Sequence, residues 1–132
     1  MKNKIAFLIF SFLLVLAGCN AAINMQGKVA GISSGKFLYQ DGSLTSNYQA
    51  EIDSVWKACE KSVADLKATE VQKDRRISTG LTKAIIQEEK VTIKVEYVEK
   101  NLTSVSVFVG VIGNNMASHL IHEKIISNLP KS

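Results

Sequence analysis

Apolar and polar residues alternate along the C-terminal half of the chain. Val91, Ile93, Val95 and Tyr97 are interleaved with Thr92, Lys94 and Glu96. Val105, Val107, Val109 and Val111 are interleaved with Ser104, Ser106 and Phe108. A period of two puts successive side chains on opposite faces, so each run predicts a strand with one dry and one wet side. Lys100-Asn101 predicts the turn between them, and Gly110 and Gly113 the end of the second run. Residues 81–87 predict a strand upstream, joined through a turn at Glu88-Glu89-Lys90. Nearer the N-terminus, Phe37-Leu38-Tyr39 and residues 44–48 flank Asp41-Gly42, a turn pair that predicts a hairpin. A single bulged strand fits the same residues.

Two stretches change to the helical period. Over 51–68, Ile52, Val55, Trp56, Cys59, Val63 and Leu66 recur at spacings of three and four, with Trp56 as a large core anchor. Glu51 and Asp53 in the first turn and Lys67 in the last suit the helix dipole. Over 116–129, Ile121, Ile125 and Leu129 fall four apart, Asn114 or Asn115 can cap the start, and Pro130 stops the end. Residues 69–72 predict a short strand, followed by a charged loop at Lys73-Asp74-Arg75-Arg76. Strands lie between two helices without βαβ alternation. The expected class is therefore α+β, an antiparallel sheet of four or five strands with two helices packed on one face.

The first residues follow another logic. Lys2 and Lys4 precede an apolar run of 12 residues, Ile5 to Leu16, broken only by Ser11. A membrane-spanning helix needs about 20 apolar residues, so the run predicts an export signal over 1–18. It ends at Leu16-Ala17-Gly18-Cys19. Small residues directly before a cysteine resemble the lipobox of bacterial lipoproteins. That resemblance implies cleavage before Cys19, a diacylglyceryl group on its thiol and acylation of the new amine. Cys19 is thus the expected lipid attachment site and the membrane the expected partner. Asn20, where Asp would favour the inner membrane, implies the outer membrane facing the periplasm. Residues 19–34, small and polar with Gly27 and Gly31, predict a lipidated start and a flexible tether. A short strand over 28–32 is the alternative. The folded domain is expected over 35–132.

Composition changes this picture little. The chain is 46% hydrophobic, which falls to about 42% without the leader, ordinary for a globular domain. Beyond the leader, 14 Lys and Arg face 12 Asp and Glu. That balance argues against a nucleic-acid binder.

Candidate chemistry is sparse. His119 and His122 share one helical face at i and i+3, with Glu123 adjacent, but His-x-x-His-Glu matches no zinc-protease order. Two half-exposed histidines beside an apolar stripe are expected, with no metal site. Gly31-Ile32-Ser33-Ser34-Gly35-Lys36 is one residue short of a phosphate loop, and Phe37 stands where Ser or Thr would bind magnesium. Cys59 lies on an apolar helical face and is expected to be a buried inert thiol. Glu88-Glu89 is expected to be a solvated turn. Lys73, Arg75 and Arg76 form the one basic cluster, a candidate for anionic lipid headgroups or an acidic partner. No catalytic residue and no cofactor is expected.

The whole pattern resembles a family of small bacterial lipoproteins known only as a domain of unknown function. The resemblance rests on residues 39–44 around Gly42, on Ile52-Asp53-Ser54-Val55-Trp56, on Val91-Thr92-Ile93-Lys94-Val95 and above all on residues 103–113. Ser118, Ile121, Ile125 and Leu129 close it. Relatives carry Arg before the Val-Gly and Asp after the second Gly, where this chain has Phe108 and Asn114. The resemblance implies location and fold and supplies no activity. The expected function is a membrane-anchored envelope lipoprotein, a non-catalytic binding or bracing module with an envelope protein or lipid as partner. The alternative is a periplasmic lipoprotein that binds a small molecule or lipid.

Overall fold

The computed structural model describes residues 37–131. The elements in chain order are β1 (Leu38–Gln40), β2 (Ser43–Tyr48), α1 (Ile52–Asp65), β3 (Thr69–Arg75), β4 (Thr79–Ile86), β5 (Glu89–Glu99), β6 (Leu102–Val109) and α2 (Asn115–Ser127). The strands form one antiparallel sheet in the order β1-β2-β6-β5-β4-β3. The class is α+β, as expected, but the sheet has six strands rather than four or five. The expected signal and tether, 1–34, lie outside the described residues.

The strand expected over 69–72 is longer and takes in the first three residues of the expected charged loop. Lys73, Asp74 and Arg75 continue the strand begun at Thr69 and pair with Thr82, Leu81 and Gly80 of β4. Local charge suggests a loop, whereas backbone pairing along the outer side of β4 requires a strand. Charged side chains are what an edge strand carries to discourage further pairing.

Alternation is obeyed across the sheet. Leu44, Val107, Ile93 and Thr82 form one cross-strand row, and all four are buried. Ser46, Val105, Val95 and Gly80 form the next. Both helices pack on this face, where Ile52, Val55, Cys59 and Val63 of α1 and Ile121 and Ile125 of α2 complete the core. Tyr97, expected on the dry face, is 49% exposed although it pairs in register with the buried Thr103.

The turns gather at two ends. At one, here called the near end, lie Asp41-Gly42, Gln87-Glu88, the chain leaving α1 and the loop from β6 to α2. Gln40 pairs with Ser43 and Ile86 with Glu89, leaving two-residue loops. Both residues of each loop have positive φ (52° and 83°, 50° and 67°), as tight hairpins demand. The turn expected at Glu88-Glu89-Lys90 is thus Gln87-Glu88, and Glu89 and Lys90 open β5. β6 stops at Val109 because Gly110 turns to φ 83°, so Val111 leaves the sheet. α1 ends at Asp65 rather than Ala68. Lys67 N–H donates to the Ala64 carbonyl and Ala68 N–H to that of Val63, with Lys67 left-handed at φ 57°. This is a Schellman closure without its usual glycine.

Candidate functional site

The titratable groups singled out in the sequence do not converge. His122 is fully buried, not half-exposed, because it lies on the same side of α2 as Ser118, Ile121 and Ile125. Its Nε2 lies 2.7 Å from the Leu44 carbonyl and its Nδ1 2.5 Å from Tyr48 Oη. A carbonyl can only accept, so Nε2 carries the hydrogen. The neutral ring then accepts at Nδ1 from the tyrosine hydroxyl. Burial lowers the His122 pKa to about 4; the Leu44 bond opposes this and His119 adds to it. Burial, reinforced by Cys59, likewise holds the Tyr48 phenol above its usual range.

Phe37 roofs this pair. Its ring centroid is 4.5 Å from that of His119 and 5.1 Å from that of His122. His119 turns outward, with Nδ1 3.5 Å from Glu123 Oε1. The two histidines therefore face different surroundings, and neither nitrogen of His122 is open to a ligand. Among the described residues no group of three or more His, Cys, Asp or Glu is placed to hold a metal. Cys59 is buried, and burial together with the Glu60 carboxylate pushes its thiol up to about 12. An attacking thiolate is disfavoured there.

The basic cluster is fully engaged. Lys73 Nζ lies 2.9 Å from Glu60 Oε2, Arg75 Nη2 2.7 Å from Asp53 Oδ1 and Arg76 Nε 3.4 Å from Asp74 Oδ2. Arg75 also donates to the carbonyls of Arg76, Ile77 and Thr79. Two of the carboxylates belong to α1, so these cations lace the edge strand to the helix. Cys19 and residues 31–36 lie outside the described residues.

Two of the depressions among the described residues bear on binding. A broad open one of about 750 Å³ lies where β3 bulges, beside Glu70, Val71, Gln72, Lys83, Ile85 and Thr92. A narrower apolar groove of about 270 Å³ lies between α2 and the sheet, lined by Leu66, Ile86, Val91, Val109, Ala117 and Ile121. Among the described residues no helix is long and apolar enough to cross a membrane.

Residues 2–128 match the family described as Protein of unknown function (DUF3568). The chain belongs to this family. No curated protein matches it. The match runs from residue 2 through α2 and so covers both the apolar N-terminal run and the folded domain. Asn114 caps α2 by accepting from Ala117 N–H at 3.0 Å. Sequence reasoning missed the Tyr48–His122 pair. It also missed the apolar loop after β6, although Gly110, Gly113 and Asn114 around Val111 and Ile112 are the signature of an exposed turn.

Proposed function

We propose that the protein is a membrane-anchored bacterial envelope lipoprotein whose folded part is a non-catalytic binding or bracing module. The observation that carries this reading is Leu16-Ala17-Gly18-Cys19 at the end of an apolar run of 12 residues that follows Lys2 and Lys4. Two or three acyl chains on Cys19 hold a protein on a bilayer stably, whereas one chain binds marginally. Asn20 favours the outer membrane, facing the periplasm. The family match supports treating leader and domain as one unit, since it spans both. The non-catalytic part draws support from the engagement of His122, Cys59 and the basic cluster within the fold.

The groove beside Leu66 and Ile121 favours the second reading, a lipid or small-molecule binder. Its volume of about 270 Å³ falls just below the roughly 300–1,000 Å³ typical of ligand sites, which ranks this reading second.

Metabolic labelling with a tagged fatty acid tests the anchor. The wild-type chain takes up label and sediments with the outer membrane. Cys19→Ala takes up none and leaves the membrane fraction. Label retained by Cys19→Ala would sink the reading.

A further inference from the structure

Four large apolar side chains stand in solvent at the near end. Val111 and Ile112 are 90% and 87% exposed in the loop after β6, and Met116 and Leu120 are 77% and 61% exposed on α2. Met116 and Leu120 lie one turn apart, opposite the buried stripe of Ser118, Ile121, His122 and Ile125. The loop is seated firmly. A Cβ at Gly42 would come within 2.6 Å of the Ile112 carbonyl oxygen, so the hairpin turn and the loop touch backbone to backbone. From Asn101 to Glu123 the chain has no Lys or Arg. Among the described residues, all five non-glycine residues with positive φ, Asp41, Lys67, Glu70, Gln87 and Glu88, are at this end.

The occupant follows from where the chain joins the domain. Phe37 packs on His119, which lies between Met116 and Leu120 on α2. Only 17 residues separate it from Cys19. Fully extended they reach about 60 Å, so a bilayer holding Cys19 is always within range of this end.

We infer that the near end, through Val111, Ile112, Met116 and Leu120, inserts into the interfacial region of the bilayer that carries the anchor and lays the domain on it. The inference rests on the lipid-anchor reading. The segment that carries the four side chains holds no cation, and at the same end Lys67 and Lys90 are outnumbered by Asp41, Glu88 and Glu89, so contact is driven by apolar area and does not depend on anionic headgroups. High salt leaves it unchanged. The far end, with Arg76–Ser78 and Lys100-Asn101, then points away from the membrane.

The test uses the full chain purified from bacterial membranes and reconstituted in phosphatidylcholine vesicles. An environment-sensitive fluorophore is placed at Ile112→Cys, and in a second protein at Ile77→Cys, a far-end site 97% exposed. Buried Cys59 does not react. The expected result is a blue-shifted 112 probe, quenched severalfold more than the 77 probe by spin-labelled lipid. Adding Met116→Glu and Leu120→Glu, both at exposed positions, should bring the two probes level. Equal quenching at 112 and 77 in an acylated protein overturns the inference and leaves the anchor intact. Intact mass reports acylation independently. If Cys19 proves bare, the probe is read in a Cys19→Ser background with vesicles added. A shift there sustains the docking surface alone, and no shift overturns it. A blue shift without lipid that grows with protein concentration assigns the surface to a second copy and overturns the inference.

Discussion

The indole of Trp56 lies directly on the bare backbone of Gly80. A Cβ at Gly80 would come within 2.5 Å of Cε3 and Cζ3 of the ring. Gly80 has no left-handed φ, so the position needs space and not conformational freedom. Gly80→Ala should destabilise by about 1–3 kcal/mol through overpacking. Trp56→Ala should cost about 3–5 kcal/mol. In the double variant the clash has no ring to meet, so the losses should be less than additive. Urea unfolding of the four proteins measures this, and a neutral Gly80→Ala would contradict the contact.

His122 sets a pH dependence. Its pKa falls from 6.5 when unfolded to about 4 when folded, so the native state favours the neutral ring. The unfolded chain therefore binds more protons between these values. Stability from this group is complete above 6.5 and is lost as pH falls toward 4. By about pH 5 the loss should be about 2 kcal/mol. His122→Gln should flatten this slope, while His119→Ala, which removes only a minor cause of the shift, should leave most of it in place. Unfolding midpoints at neutral and acidic pH decide the matter, and an unchanged slope in His122→Gln would assign the proton elsewhere.

Lys67 closes α1 from a left-handed conformation at φ 57°. A side chain there carries a steric cost that glycine does not. Lys67→Gly should therefore raise stability by about 1 kcal/mol, read as a higher thermal midpoint.

The hydroxyl of Thr82 is buried on the core face of β4 without a hydrogen-bond partner. Thr82→Val keeps the shape and removes the unpaired group. A gain of about 1 kcal/mol is expected in the same unfolding measurement.

Strong local periodicity made β4, β5, β6 and the buried face of α1 legible, including Trp56. The Asn114 cap was legible because the capping residue is next to its helix. The short strand at 69–72 was legible too, but its run through Arg75 was not, because the pairing with β4 and the ion pairs to Asp53 and Glu60 are tertiary facts. His122 shows the same limit. Its place on the buried stripe follows from helical spacing, but its partners Tyr48 and Leu44 lie 74 and 78 positions away. Polarity alone argued for partial exposure, and the two distant bonds reverse that. The lipid-attachment residue expected at Cys19 rests wholly on local order before it and lies outside the described residues.

The place of β6 in the sheet has a consequence for how the chain assembles. The run from β3 to β6 can form by successive neighbouring hairpins. β2 cannot join them until the last strand is available, since its inner neighbour is β6. Thr45 and Ser106, whose hydroxyls meet at 2.8 Å, are 61 positions apart. Closing so long a ring is entropically costly and slow. Until then β1 and β2 form a two-stranded piece, marginal alone in water. A chain delivered N-terminus first thus holds its earliest strands in waiting, and its final quarter decides when the domain becomes a cooperative unit.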